Sequence, residues 1–187
     1  YLTFNSGGTE SIDLAIRGTL LALPDSHRVV ISTRLEHSAV RELIEDLEKR
    51  DDIEVRWCPV NIRGEVDLAA FKRLLAPGPA SDEYPTGRRV GLVTMQWANN
   101  ETGVITPIAQ IAALCAAANA DDDAAMAPLL HCDATQWIGK LPANVETEPR
   151  ERDAPADNSF APASPADLVT SPPHNCAGPH GIGVLYA

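Results

Sequence analysis

The chain has 187 residues, and 15 Lys plus Arg against 26 Asp plus Glu give it a formal net charge of −11. A chain of this length suits one domain with a single hydrophobic core. The acidic balance repels phosphate backbones and anionic lipids, so neither nucleic acid nor a membrane is expected as a partner. No apolar run reaches the roughly eighteen residues of a membrane span, and the first residues lack the features of a signal peptide.

The sequence opens on Tyr1 and residues 1–4 are typical of the end of a strand, so an internal fragment or a truncated product is expected. The four cysteines form no CxxC pair and lack the dense spacing of secreted domains. Structural disulfides are therefore not expected, and a reducing compartment, cytoplasmic or mitochondrial, is predicted. These cysteines are Cys58, Cys115, Cys132 and Cys176.

Strand and helix patterns alternate along the chain. Short apolar runs predict strands at 2–4, 29–31, 53–60, 90–95, 129–132, 168–170 and 182–186. Apolar residues at helical spacing predict helices over 12–23 and 40–50, from Asp67 to Leu75, and after Pro107. The alternation predicts an α/β domain with a mostly parallel sheet and flanking helices. The ligand site of such a domain lies at the carboxyl ends of its strands.

Three segments are interpreted as inserted loops, at 77–89, 119–128 and 146–166. The last is rich in Pro, Ala, Glu and Asp, and Phe160 is its only large apolar residue. Because such a segment buries too little apolar surface to order itself, a mobile surface loop is predicted there.

A glycine turn lies between the first strand and the first helix, in the sequence SGGTES at 6–11. Free backbone N–H groups and the helix dipole at such a position favour an anion, and Thr9 or Ser11 could add a hydroxyl. A phosphate site is one interpretation of this turn, and a tight turn with a helix N-cap is the other.

Three further polar positions follow strands or open helices, and each has two interpretations. Asp133 could hold a pyridine nitrogen protonated, or it could cap a helix. The amides of ANNETG at 98–103 could bind a phenolic oxygen, or simply form a turn. His37 could stack on a heteroaromatic ring, or be a surface or capping residue at the start of the second helix.

Five segments in this order, SGGTES, EHSAV, ANNETGVITPI, HCDATQWIGKLP and GPHGIGVLY, resemble the NifS-like cysteine desulfurases and selenocysteine lyases of the class V aminotransferase family. The resemblance covers nearly all of the chain outside the three insertions. It implies that residues 1–187 are an incomplete large domain of the aspartate aminotransferase type, without the C-terminal small domain.

The same resemblance implies pyridoxal 5′-phosphate as the cofactor. The implied reaction removes sulfur or selenium from cysteine or selenocysteine and leaves alanine, in support of cofactor assembly such as that of iron–sulfur clusters. A homodimer and sulfur-acceptor proteins are the implied assembly and partners.

Cofactor contacts are implied position by position. Gly8 and Thr9 match the phosphate-binding turn of the family, and His37 matches the histidine that stacks on the cofactor ring. Asn100 matches the amide near the phenolic oxygen of the ring. Two further matches are Asp133, as the partner of the pyridinium nitrogen, and Gln136, as another cofactor contact.

The departures from the family lie in one loop. Where the family has a Ser-Gly-His-Lys stretch, this chain has Pro172, Pro173, His174 and Asn175. Only His174 agrees, and it is a candidate cofactor contact and catalytic residue together with His37. Asn175 stands at the position of the expected Schiff-base lysine, and a carboxamide is neither a useful nucleophile nor a base. Pro172 also removes a hydroxyl and an N–H from the phosphate cup.

The prediction is therefore a desulfurase-like chain with impaired catalysis and no covalent link to the cofactor. The alternative is an inactive homologue or fragment that acts as a non-catalytic cofactor-binding or regulatory partner. Lys140 is not expected to replace the missing lysine, and Cys176 is not expected to be the persulfide carrier. No metal site is predicted from His174, Cys176 and His180.

Overall fold

The computed structural model describes residues 1–50, 52–76, 86–118, 126–141, 166–173 and 178–187. The three predicted insertions lie largely outside these residues, so the mobility predicted for 146–166 stays a prediction. His174, Asn175 and Cys176 also lie outside the described residues.

Strands and helices alternate as the sequence predicts. The strands are β1 (Leu2–Asn5), β2 (Val29–Ser32), β3 (Glu54–Trp57), β4 (Val90–Gln96), β5 (Leu129–Asp133), β6 (Leu168–Ser171) and β7 (Gly183–Tyr186). The helices are α1 (Gly8–Ala22), α2 (Ser38–Lys49), α3 (Leu68–Leu75) and α4 (Ile108–Ala117), with a short 3-10 helix at Asp25–His27. The third strand is shorter than predicted, because Val60 leaves the sheet and pairs with Val66 in a separate antiparallel bridge.

The seven strands form one sheet in the order β1-β7-β6-β5-β4-β2-β3. Neighbours from β3 to β6 pair in parallel, whereas β7 is antiparallel to both β6 and β1. The prediction of a mostly parallel sheet is confirmed. Parallel strands share their direction, so β2, β4, β5 and β6 all end at one edge of the sheet.

Both faces of the sheet are covered, which explains why the central strands have nearly continuous apolar sequences. One core contains Phe71 of α3 and Ile111 of α4, both fully buried. The other contains Ile16 of α1 and Ile44 of α2, also fully buried. The domain is therefore a three-layer α/β structure whose site-bearing edge rests on two packed cores.

A buried histidine joins three strands just below that edge. His131 is fully buried, with Nδ1 2.8 Å from Thr94 Oγ1 of β4 and Nε2 3.1 Å from Thr170 Oγ1 of β6. Burial lowers the pKa of His131 to about 4, so its ring is neutral near pH 7. The sequence analysis assigned no role to this residue.

We predict that His131 makes the folded state less stable in acid. The unfolded chain takes up a proton near pH 6.5 and the folded chain only near pH 4. Stability that is present above pH 6.5 is therefore lost as the pH falls towards 4, by at most about 3 kcal/mol. Urea unfolding at several pH values between 4 and 7 measures this slope, which His131→Gln is expected to flatten. The exposed His180→Gln is the control, and an equal slope in wild type and His131→Gln would contradict the assignment.

Candidate active site

A cleft of about 320 Å³ opens at the carboxyl ends of the parallel strands. It is lined by six residues that the sequence analysis singled out: Gly8, Thr9, His37, Asn100, Asp133 and Gln136. Ile12, Gln96, Thr135 and Pro172 complete the lining. Segments far apart in sequence thus meet in one cavity, and their roles towards a cofactor remain predictions.

The glycine turn brings the start of α1 to the cleft. Gly7 is the N-cap and makes no side-chain capping bond, and Gly8 is the first helical residue. Glu10 turns back to accept hydrogen bonds from the amide and hydroxyl of Ser6, which lower the pKa of Glu10. The first-turn amides of α1 therefore lie at the cleft without a capping side chain, which suits an anionic group.

His37 both caps a helix and lines the cleft. It is the N-cap of α2, and its Nδ1 accepts a hydrogen bond from the Ala39 amide at 3.2 Å. It also lines the cleft. Capping fixes the orientation of the ring, so the same contact that starts α2 presents an imidazole to the cavity.

Of the two asparagines after β4, Asn99 holds the turn and Asn100 lines the cleft. Asn99 Oδ1 accepts from the amides of Glu101 and Thr102 at 2.9 and 2.8 Å, which holds the turn. Asn100 lines the cleft, and its Oδ1 accepts from Gln96 Nε2 at 3.2 Å. Gln96 was missed by the sequence analysis, although its place at the end of a buried strand could have indicated it.

Asp133 is a buried carboxyl at the end of β5. Only 1% of its surface is exposed, and Oδ1 accepts from the Thr135 amide at 3.0 Å. Burial raises the pKa of Asp133, and the hydrogen bonds from Thr135 oppose that rise. It does not cap a described helix; it lies at the cleft, where it can accept a hydrogen bond from a cationic ring nitrogen.

A second buried carboxyl, Glu36, lies beside the cleft and was also missed by the sequence analysis. It is 5% exposed, and Thr33 Oγ1 donates to its Oε1 at 3.0 Å. Its Oε2 has no hydrogen-bond partner among the described residues. Burial raises the pKa of Glu36 to about 8, and the charge of Asp133 adds to the effect. Glu36 is therefore mostly protonated at neutral pH.

The cleft is close to one of the three lysines of the chain. The ammonium group of Lys140 donates to Gln136 Oε1, which lines the cleft, and Lys140 itself is exposed. Cys58, Cys115 and Cys132 are free and buried, and burial raises the pKa of each thiol. Buried thiols of this kind make poor nucleophiles.

The described residues offer neither a metal centre nor a membrane span. They contain no cluster of three or more His, Cys, Asp or Glu side chains placed to hold a metal ion. None of the helices described is both long enough and apolar enough to cross a membrane.

A mostly parallel sheet with a glycine turn, an imidazole and a buried aspartate at its carboxyl edge is the arrangement expected of a pyridoxal-phosphate-dependent large domain of the aspartate aminotransferase type. Residues 2–148 match the family model described as Aminotransferase class-V. The chain belongs to the class V aminotransferase family.

Individual relatives agree with that assignment. The chain is 33% identical over 185 residues to a cysteine desulfurase of Cereibacter sphaeroides, covering 99% of this chain and 38% of the relative. It is 36% identical to the cysteine desulfurase of Azospirillum brasilense, with 99% and 37% covered. A solved NifS-like protein superposes with a TM-score of 0.75 at 26% identity, covering 99% of this chain and 41% of that one. The chain thus spans well under half the length of these relatives.

The family uses pyridoxal 5′-phosphate, and the described residues of the cleft fit this group with one exception. Helix amides would donate to its phosphate and Asn100 to its phenolic oxygen, His37 would face the ring, and Asp133 would accept from the ring nitrogen. The exception is Pro172, whose ring carbons lie 3.4 to 3.7 Å from a Cβ built on Gly8. A proline at that point presents no amide or hydroxyl donor to a phosphate.

We predict that Glu36 gives the stability an opposite pH dependence to that of His131. Its carboxyl loses its proton near pH 4.5 in the unfolded chain and near pH 8 in the fold. Stability that is present below pH 4.5 is therefore lost as the pH rises to about 8, by at most about 5 kcal/mol. Glu36→Gln is expected to remove this slope in urea unfolding between pH 5 and 8.5. Glu42→Gln on the exposed face of α2 is the control, and an unchanged slope in Glu36→Gln would refute a protonated Glu36.

Proposed function

We propose that this chain is the cofactor-binding part of a cysteine desulfurase-like protein, that it binds pyridoxal 5′-phosphate without a covalent link, and that its lyase activity is strongly impaired. One observation carries the proposal. The cleft assembles Gly8, Thr9, His37 and Asp133, whereas Asn175 stands in the sequence where the family has its Schiff-base lysine.

The residues of the cleft divide the binding of the cofactor among them. Amides of the first turn of α1 would hold the phosphate, with Thr9 beside them. His37 would cover the ring face and exclude water, and Asn100 would hydrogen-bond the phenolic oxygen. The carboxylate of Asp133 would accept from the ring nitrogen and keep it cationic. When bound, the cofactor supplies an electron sink for charge that develops at the substrate carbon.

The groups that move protons are the ones that this chain lacks. A lysine amine at position 175 would take a proton from the substrate carbon and return it, and a carboxamide does neither. Pro172 weakens the phosphate cup as well, because it replaces a donor with an apolar ring against Gly8. Binding of the cofactor is therefore expected to survive better than turnover.

The finer assignments rest on similarity to longer relatives. The relatives are cysteine desulfurases, and the chain spans 38% of the length of the one from Cereibacter sphaeroides. Cysteine as substrate is proposed on that basis, and selenocysteine as an alternative substrate, a homodimer and sulfur-acceptor partners are proposed from the family resemblance of the sequence. A role in iron–sulfur cluster assembly and a cytoplasmic or mitochondrial location are proposed with them.

A second candidate function is a non-catalytic partner that binds pyridoxal phosphate or regulates an intact paralogue. It is favoured by the combination of intact cleft contacts with three departures, at Pro172, Pro173 and Asn175. Saturable binding of the cofactor with no release of sulfide from cysteine would support this candidate, and measurable turnover by the wild-type chain would exclude it.

We predict that restoring the amine restores covalent attachment. The wild type is expected to bind pyridoxal phosphate saturably in an absorbance titration, with no lysine modified after borohydride reduction. Asn175→Lys is expected to give one adduct, at position 175 by mass mapping, and Asn175→Gln is the matched control. A wild-type adduct on Lys140, whose ammonium group reaches Gln136 at the cleft, would contradict non-covalent binding.

We predict that Pro172→Ser strengthens the phosphate cup. The serine restores an N–H and a hydroxyl, and a hydrogen bond to a charged group is worth about 1.5 kcal/mol or more. Affinity for pyridoxal phosphate should rise about tenfold, and affinity for pyridoxal, which has no phosphate, should stay the same. Fluorescence titration measures both, and Pro172→Ala separates the N–H from the hydroxyl. A similar gain for both compounds would show that the effect is not at the phosphate.

A further inference from the structure

The glycine turn at the start of α1 is fastened by two side chains outside the proposed cofactor contacts. Asn5 Oδ1 accepts from the Gly7 amide at 3.1 Å. Ser11 Oγ lies 3.0 Å from Asn5 Oδ1, 2.9 Å from Asn5 Nδ2 and 3.2 Å from the Gly7 carbonyl oxygen. Ser11 is fully buried. The last residue of β1 and the first turn of α1 are thus joined through the turn itself.

The first residue of β7 leaves room for this arrangement. A Cβ built on Gly183 would lie 2.1 Å from Asn5 Oδ1 and 2.3 Å from the Gly7 carbonyl oxygen. Neither backbone nor a short amide can give way by that much, so the closeness of β1, β7 and the turn requires a glycine here. The side-chain amide of Asn5 is therefore enclosed by Gly7, Ser11 and Gly183.

The turn needs this restraint because glycine has more backbone conformational freedom than any other residue. Gly7 is the N-cap of α1 and has no side chain to cap the helix. An asparagine that bonds to the amide two residues on supplies the missing restraint. The direction of the first-turn amides therefore depends in part on Asn5, although Asn5 does not line the cleft.

We propose that Asn5 is a positioning residue which, through Gly7 and Ser11, aims the first-turn amides of α1 and so sets the preference of the cleft for a phosphorylated over an unphosphorylated ligand. The inference rests on the proposed function, in which pyridoxal phosphate binds with its phosphate at this turn. Asn5 itself makes no contact with the ligand in this scheme.

The test compares two substitutions of Asn5. Asn5→Leu keeps the shape and removes both polar atoms, whereas Asn5→Ser keeps an acceptor for the Gly7 amide. The readout is the ratio of the dissociation constants for pyridoxal and pyridoxal phosphate. Asn5→Leu should lower this ratio about tenfold at unchanged affinity for pyridoxal, and Asn5→Ser should restore most of it. An equal loss of both affinities, or an unchanged ratio, would overturn the proposal.

If Asn5→Leu fails to fold, Ser11→Ala is a milder substitution, because it removes only the hydroxyl that hydrogen-bonds to the Asn5 side chain. It should lower the ratio in the same way, and the double variant should lower it no further, because both residues act through Gly7. An additive effect would count against a shared role.

Hydrogen exchange tests the role of Asn5 even if the proposed function is wrong and no ligand binds. A wild type that binds neither compound would refute the proposed function, but exchange of the Gly7 and Ser11 amides, which are hydrogen-bonded at this turn, could still be measured. Faster exchange there in Asn5→Leu, with recovery in Asn5→Ser and no change in the interior of α1, supports the fastening. The same exchange rates in all three proteins would overturn it.

Discussion

The site depends on the shared direction of the parallel strands. Because β2, β4 and β5 lie side by side and end at one edge, the residues that follow them are brought together without any further design. His37, Asn100 and Asp133 come from three such segments, and α1 closes the cleft from the side of β1. A change that shifted one strand by a residue would move its polar group to the wrong place.

Burial, more than pairing of opposite charges, sets the ionisation of the groups near this edge. His131 is neutral near pH 7 because burial removes its ring from water and so lowers its pKa. Glu36 retains its proton because desolvation penalises the carboxylate and Asp133 adds a like charge. Because two nearby buried carboxyls oppose each other's ionisation, protonation of Glu36 favours the charged form of Asp133.

The sequence predicted the elements and most of the cleft because both leave local signals. Apolar runs such as 90–95 can only be buried strands or short helices, and a glycine turn before a helix is visible as such. Glu36, Gln96 and His131 left no such signal, since the burial of a polar side chain is decided by distant segments. For His37 the sequence offered two interpretations, a helix cap or a residue of the site. The two are compatible, because one side chain both caps α2 and lines the cleft.

Two tryptophans that follow cleft-lining residues in the sequence stack on one another. The rings of Trp97 and Trp137 are 4.6 Å apart between centroids and 4° from parallel. Each follows a residue that lines the cavity, Gln96 and Gln136 respectively. Indole emission overlaps the absorption of a pyridoxal chromophore, and energy transfer falls steeply with separation. The fold therefore contains its own optical reporter, in which loss of tryptophan emission would record occupancy of the cleft without any label.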